Sequence, residues 1–133
     1  MLCLDTDIVI EYLKGNRIVV NKIEYTKEQL YITPITLLEL YYGAYRSTQV
    51  EKHLKEVREL LELFSVLEMD SRVYEEFGKI KAQLQEEGKV IDNFDLLIGV
   101  TCRIHNARLV TNNTKHFSKI KNLNITNWLE TSS

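Results

Sequence analysis

The sequence predicts a three-layer α/β/α domain with a central parallel sheet, and three observations favour this class. Short apolar runs alternate along the chain with longer stretches of helical periodicity. One proline and five glycines among 133 residues leave little room for linkers. A hydrophobic fraction of 44% is sufficient for one compact core. We therefore expect a single domain spanning residues 1–133.

The first half of the chain is predicted to contain two strands, each followed by two helices. Residues 1–4 form a buried strand, and the next helix ends at Lys14-Gly15-Asn16, where glycine suits the C-terminus. Thr33-Pro34 starts a later helix, because proline is favourable in the first helical turn. The remaining predicted elements are a helix at 17–24, a strand at 29–33 and a helix at 49–64.

The second half continues the alternation of strands and helices. Asp70-Ser71 caps a long helix that ends near Glu87-Gly88. The other predicted elements are strands at 65–69, 107–111 and 124–128, the last at an edge, and a buried helix at 91–106. Strands separated by helices imply a parallel sheet covered on both faces. Ligands of such folds gather at the carboxyl ends of the strands, which is where Asp5 follows the first strand.

Charge and cysteine content restrict the class of protein. The formal net charge of −2 provides no general attraction for nucleic acid, so RNA contact requires a local basic patch. Cys3 and Cys102 lie in apolar surroundings without metal-ligand spacing, which predicts buried thiols in a reduced, cytoplasmic protein. No apolar run reaches the roughly 18 residues that cross a bilayer. Candidate phosphate contacts are Lys14, Arg17, Arg46, Lys115, Lys119 and Lys121.

Three carboxylates stand in unusually apolar sequence surroundings. Asp5 follows the first strand, Glu39 lies within ITLLELYYG, and Asp95 lies within NFDLLIGV. Burying an unpaired carboxylate is costly, so such groups are paired, protonated or bound to a cation. Lysine and arginine are absent from their immediate neighbourhoods. Oxygen-only ligands favour Mg²⁺ or Mn²⁺.

Each acid also has a purely structural interpretation, and the residues alone leave both open. Asp5 or Asp7 is suitable as an N-cap of the first helix. Thr36 and Glu39 match a capping box, in which the glutamate binds a backbone N–H. The earlier start at Thr33-Pro34 argues against that box.

The start of the buried helix and the histidines offer further candidates. Asp92 is the natural N-cap, which we favour over a ligand role, and Asp95 then occupies the third helical position, where the dipole stabilises it. His116 adjoins the predicted site and is a candidate phosphate contact. His53 is expected on a helix surface, and His105 is expected to be structural.

Three segments together resemble the PIN-domain ribonucleases, specifically VapC-type toxins of type II toxin–antitoxin modules. The segments are LDTDIVIEYL, ITPITLLELYYGAYRS and VIDNFDLLIGVTCRIHNARLVTNNTKHF. The resemblance implies that Asp5, Glu39 and Asp95 form an acidic core binding Mg²⁺ or Mn²⁺. It also implies that Thr6 is the hydroxyl residue following the first acid. Asn113 stands where the family often carries a fourth acid, which argues against a second tightly held metal ion.

The resemblance implies a metal-dependent endoribonuclease. Asp5 and Asp95 are expected to hold the ion, while Glu39 positions or deprotonates the attacking water. Asn113 and Thr6 are expected to orient that water or the scissile phosphate, leaving a 5′-phosphate and a 3′-hydroxyl. The implied partners are tRNA or a ribosomal RNA loop, a VapB-like antitoxin and a second copy of the chain.

Two alternative functions remain at this point. LDTDIV also fits the D-x-D-x-V pattern of haloacid dehalogenase-type phosphatases, in which Asp5 is the nucleophile. Activity on a chromogenic phosphate monoester rather than on structured RNA distinguishes this class. The other alternative is a catalytically degenerate interaction module, which the missing fourth acid favours and the three retained acids disfavour.

Overall fold

The computed structural model describes residues 1–129, whose strands form one five-stranded parallel sheet in the order β3-β2-β1-β4-β5. The last four residues of the predicted domain, 130–133, lie outside the described residues. In chain order the elements are β1 Leu2–Leu4, α1 Thr6–Leu13, α2 Arg17–Tyr25, β2 Leu30–Ile32, α3 Pro34–Arg46, α4 Val50–Leu63, β3 Ser65–Val66, α5 Ser71–Glu86, α6 Asn93–Ile104, β4 Arg108–Val110, α7 Thr114–Phe117 and β5 Ile125–Thr126.

The central position of β1 determines where its carboxyl end lies. This strand pairs with β2 on one side and β4 on the other, and Leu4 is in register with Val110. Because the strands are parallel, their carboxyl ends share one edge of the sheet. Asp5 and Thr111, which follow the paired residues, therefore emerge side by side although they are 106 positions apart.

Alternation along the strands places side chains in two hydrophobic clusters, one on each face of the sheet. Cys3 and Leu109 belong to the cluster that α5 and α6 cover. Leu4 and Val110 belong to the cluster that α1, α2 and α4 cover. The predicted three-layer α/β/α architecture with a parallel sheet is confirmed, and α3 contributes to both clusters through Ile35 and Leu40.

Helix caps decide several of the structural alternatives. Thr33 caps α3 through a bond from the Thr36 backbone N–H, and Pro34 occupies the first turn, as the sequence predicts. Glu39 therefore lies inside α3, and the capping-box interpretation is wrong. Asp92 caps α6 by accepting the Phe94 N–H at 3.1 Å, which confirms its predicted role.

The short helix α7 was not among the predicted elements. It packs against α6 at Gly99, where a Cβ atom would collide with Ile120 and touch Phe117. The absence of a side chain at Gly99 therefore lets the chain around α7 approach α6 closely. This approach brings His116 of α7 beside Asp95 of α6.

The two cysteines are buried and unbridged, as predicted. The neighbouring Cys102 thiol of α6, together with burial, raises the pKa of Cys3 in β1. Their sulfur atoms join the sheet to the helix as small apolar core groups. In the part of the chain that the structure describes, no helix has the length and apolarity required to cross a membrane.

Candidate acidic site at the sheet edge

Asp5 is the deepest carboxylate of the candidate site and is only 6% exposed. One oxygen, Oδ1, accepts the Thr6 backbone N–H at 2.8 Å, so this residue also caps α1. The other oxygen, Oδ2, accepts the Thr111 hydroxyl at 2.8 Å. Burial, and next the charge of Asp7, raise the pKa of Asp5 to about 7 despite these two bonds. Asp5 caps α1 and is at the same time a buried carboxylate at the sheet edge. Its interpretation as an N-cap and its interpretation as a cation ligand therefore do not exclude each other.

Glu39 reaches the site from α3 and is held there by the first turn of α1. The Thr6 hydroxyl donates to Glu39 Oε1 at 2.7 Å and lies 3.0 Å from the buried Thr36 hydroxyl. Burial raises the pKa of Glu39, and the Thr6 bond opposes that effect. Thr6 therefore fixes the orientation of this carboxylate.

Asp95 lies in the first turn of α6 and faces the α7 imidazole. His116 Nε2 lies 3.2 Å from Asp95 Oδ2, and both side chains are half-buried. Burial raises the pKa of Asp95, whereas the His116 charge lowers it. His116, predicted as a candidate phosphate contact, is thus a neighbour of the acidic group itself.

Asp7 supplies a further carboxylate to the same edge. Its Oδ2 accepts the Asn112 backbone N–H at 3.3 Å, and its buried Oδ1 has no hydrogen-bond partner in the structure. Burial raises the pKa of this group too. Its charge also raises the pKa values of Asp5, Glu39 and Asp95, so the acids are close enough to repel one another.

Asn113 follows β4 at the rim of the site. Its backbone N–H donates to the Thr111 hydroxyl oxygen at 3.0 Å. Its side chain is exposed and makes no capping bond to α7, although the residue occupies the N-cap position. Asn113 thus contributes to the Thr111–Asp5 connection through its backbone.

The lysines and arginines predicted to contact phosphate differ in whether their charged groups already have partners within the protein. Lys119 donates to the Val90 carbonyl oxygen at 2.8 Å, and Arg46 stacks over the Tyr42 ring at 5.7 Å. Lys121 lies 4.0 Å from Glu87. Within residues 1–129, none of the lysine and arginine ion pairs involves the three predicted acids, as the sequence suggested, and the basic neighbour of Asp95 is His116.

The donor chemistry of these acids fits a hard divalent cation. Every candidate donor is an oxygen, the groups repel one another, and the buried Asp7 Oδ1 lacks a partner. Among the described residues, however, no three aspartate, glutamate, histidine or cysteine side chains stand close enough to form a complete metal-binding cluster. These residues therefore fit a divalent cation in the type and charge of their donor atoms, whereas their spacing does not form a complete coordination shell.

Sequence reasoning missed two functional candidates at this edge. Thr111 ends an apolar strand, and only its register beside β1 shows that its hydroxyl meets Asp5. Asp7 was considered only as an alternative cap, whereas Asp5 forms the cap and Asp7 has a buried oxygen without a hydrogen-bond partner. The repeated acid in Asp5-Thr6-Asp7 was the available signal for the second of these.

Comparison with known proteins defines the class to which this fold and site belong. A family model described as the PIN domain matches residues 2–123, and the chain belongs to the PIN-domain family. The predicted resemblance to VapC-type ribonucleases is confirmed by its relatives.

Among these relatives, Ribonuclease VapC2 of Haemophilus influenzae is 31% identical over 127 residues, covering 95% of this chain and 96% of the relative. The tRNA(fMet)-specific endonuclease VapC of Shigella flexneri is 30% identical over 126 residues, covering 94% and 96%. A chain in the crystal structure of VapBC2 from Rickettsia felis bound to promoter DNA has a TM-score of 0.89 at 29% identity, covering 96% of this chain and 98% of that one. These matches give no support to the phosphatase alternative.

Proposed function

We propose that this chain is a Mg²⁺- or Mn²⁺-dependent endoribonuclease and the toxin of a toxin–antitoxin module. The observation that carries the proposal is the convergence of Asp5, Glu39 and Asp95 at one sheet edge without lysine or arginine partners. The names of the relatives, ribonuclease and endonuclease, support hydrolysis of RNA. Asp5 and Asp95 would hold the ion, with Glu39 as a third ligand or as the base.

The reaction is hydrolysis of a phosphodiester. When bound, the divalent ion neutralises the phosphate and makes a water molecule more acidic. Glu39, whose orientation Thr6 fixes, accepts a proton from the attacking water. The water oxygen forms a bond to phosphorus as the P–O3′ bond breaks, and the departing O3′ takes up a proton. The products are a 5′-phosphate and a 3′-hydroxyl. Asn113, at the rim, orients the water or the phosphate.

The experiment that tests this function is cleavage of total RNA by the purified chain with Mg²⁺, with Mn²⁺ and with EDTA. We expect cleavage only with a divalent ion, and we expect Glu39→Gln to abolish it. Glu51→Gln, which changes an exposed glutamate of α4, is the matched control and should remain active. Cleavage that persists in EDTA, or in Glu39→Gln, would contradict the proposal. Hydrolysis of a phosphate monoester instead of RNA would restore the phosphatase alternative.

The proposed protein partner is a VapB-like antitoxin. A groove of about 220 Å³ begins at Glu39 and runs between α1, α3 and α4, with Leu13, Leu40 and Val57 in its lining. Such a groove next to the catalytic acid suits a peptide segment that blocks RNA access. Co-expression with a VapB-like antitoxin should yield a complex that does not cleave RNA. Ile10→Asp, which places a charge on an exposed residue of the groove lining, should weaken that complex.

We also propose a homodimer. Leu38, Tyr42 and Tyr45 occupy one face of α3 at helical spacing and are each more than half exposed. A second copy that covers this face removes the largest exposed side chains of α3 from water. Leu38→Glu should shift the mass measured by light scattering toward the monomer. Leu61→Glu on α4 is the control, because it places the same charge on another exposed helix face.

A further inference from the structure

One buried polar atom beside the acidic site has no part in the mechanism above, namely Nε2 of His116. This nitrogen lies 3.2 Å from Asp95 Oδ2. The two groups are not aligned as a hydrogen bond, so Nε2 has no hydrogen-bond partner within residues 1–129. A buried polar atom without a partner is costly, and in folded proteins such an atom often belongs to a functional group. The position of this imidazole therefore indicates a role beyond packing.

The other two predicted acids are each held by a hydroxyl donor. The Thr111 hydroxyl donates to Asp5 at 2.8 Å, and the Thr6 hydroxyl donates to Glu39 at 2.7 Å. The carboxylate of Asp95 accepts no such bond from any hydroxyl, side-chain amide or backbone N–H of the described part of the chain. The imidazole of α7 stands in the place that a threonine hydroxyl occupies at each of the other acids.

The segment that carries this imidazole is anchored against α6. The Phe117 ring is fully buried and packs at Gly99, where a side chain would prevent the approach. The rings of His116 and Phe117 meet edge to face, with their centroids 5.8 Å apart. Lys119 Nζ donates to the Val90 carbonyl oxygen at 2.8 Å, which ties the same segment to the chain that leads into α6. The imidazole is therefore presented to α6 by a rigid support, as orientation of a neighbouring group requires.

We propose that His116 is a positioning residue for Asp95. The neutral imidazole carries its hydrogen on Nε2 and donates it to Oδ2, which leaves the other carboxylate oxygen to bind the divalent ion. Hydrogen bonds in ligand-free sites are often poorly aligned and tighten when the ligand binds. Groups that hold metal ligands in place commonly contribute about 10- to 100-fold to metal affinity. This inference rests on the proposed metal-dependent function and adds a residue outside the acidic set.

The alternative role for the same nitrogen is direct ligation of the ion. An imidazole nitrogen binds Mn²⁺ in preference to Mg²⁺, which is a hard ion that takes oxygen ligands. Loss of a nitrogen ligand would therefore weaken Mn²⁺ binding far more than Mg²⁺ binding. Loss of a group that orients a carboxylate weakens the binding of both ions by a similar factor. The parallel with the two threonine donors favours orientation.

The test measures metal binding by the full chain in the absence of RNA and at one fixed pH. Free Mn²⁺ is quantified by electron paramagnetic resonance, and Mg²⁺ binding is measured by competition with Mn²⁺. His116→Phe keeps a flat ring against Phe117 but removes both nitrogens, and His116→Leu is a second variant without them. His116→Gln restores an N–H near the position of Nε2. His105→Phe is the matched control, because His105 follows the opposite end of α6 and contacts the Glu68 carbonyl oxygen.

We expect His116→Phe and His116→Leu to weaken Mn²⁺ binding about tenfold or more, and Mg²⁺ binding by a similar factor. His116→Gln should retain most of the affinity for both ions. His105→Phe should bind both ions like the wild type, even if its melting temperature falls. RNA cleavage by His116→Phe should be low at limiting Mn²⁺ and should approach the wild-type rate at saturating Mn²⁺, because the carboxylates are still present.

Three results would overturn this role for His116. The first is wild-type affinity for both ions in a folded His116→Phe or His116→Leu variant. The second is a loss confined to Mn²⁺, which would make the imidazole a direct ligand. The third is an equal loss in His116→Gln and His116→Phe, which would assign the side chain to packing. Failure of the proposed function has a different signature, namely wild-type protein that binds neither ion, and it would remove this role as well. Melting curves identify the folded variants.

Discussion

The hydroxyl of Thr111 donates to Asp5 Oδ2 at 2.8 Å and accepts the Asn113 N–H at 3.0 Å. Thr111 is fully buried, so this bond connects the ends of β4 and β1 in the absence of water. A buried hydrogen bond to a charged group contributes about 1.5–3 kcal/mol. The bond therefore orients the deepest carboxylate of the site before any ligand arrives.

Removal of the Thr111 hydroxyl should impair catalysis. Thr111→Val keeps the shape of the side chain but leaves Asp5 Oδ2 without its donor, so we expect RNA cleavage to fall about ten- to a hundredfold. The required Mn²⁺ concentration should rise at the same time. Thr111→Ser keeps the donor and should restore most of the activity. Equal metal curves for wild type and Thr111→Val would show that Asp5 is positioned by other contacts.

Substitution of the buried acids should separate activity from stability. Asp5→Asn and Asp95→Asn should each abolish cleavage, while the melting temperature of the metal-free protein stays unchanged or rises because mutual repulsion decreases. Asp92→Asn is the control on the same segment and should remain active, since asparagine also caps a helix. A large loss of stability in Asp5→Asn would mean that its capping role dominates.

The stability of the metal-free protein should depend on pH through these same acids. The pKa of Asp5 is raised from 3.8 to about 7 in the folded protein, so between these values the folded state binds more protons than the unfolded state. The free energy of unfolding therefore decreases as the pH rises from about 4 to about 7. Asp7, Glu39 and Asp95 have raised pKa values and act in the same direction.

Urea unfolding in EDTA across this pH range measures the effect. Asp5→Asn should flatten the decrease, and the difference from wild type cancels the contributions of acids elsewhere, such as Asp70 and Glu87 with their lowered pKa values. Mn²⁺ should stabilise the wild type more at the higher pH, because metal binding requires deprotonated carboxylates. If the free energy of unfolding has the same pH dependence in wild type and Asp5→Asn, the raised pKa of Asp5 does not affect stability.

The asparagine at position 113 should determine the metal requirement. Asn113→Asp adds an anionic oxygen next to Thr111, and we expect it to lower the Mg²⁺ concentration that half-maximal cleavage requires, with Mn²⁺ the more effective ion. Titration of both ions against total RNA measures this concentration for the two proteins. Asn124→Asp is the matched control, because Asn124 is exposed and precedes β5 at the opposite edge of the sheet. Identical curves for wild type and Asn113→Asp would place position 113 outside the metal shell.

The sequence alone was sufficient for those features that local interactions determine. Thr33-Pro34 and Asp70-Ser71 marked helix starts because a cap and the first turn involve residues within a few positions of one another. The alternation of strands with helices predicted the parallel sheet, and the sheet implied that Asp5 lies at its carboxyl edge. The short α7 was missed, since four residues carry too little periodicity to predict a helix.

Tertiary structure alone decided which groups meet at that edge. Thr111 contacts Asp5 because β4 pairs with β1, and His116 faces Asp95 because Gly99 permits close packing of the segment around α7. These contacts join residues far apart in sequence, and their geometry depends on strand order and helix packing. Periodicity and capping report only on neighbours along the chain. The identities of the acids could therefore be proposed from the sequence, whereas the groups that hold them in place could not.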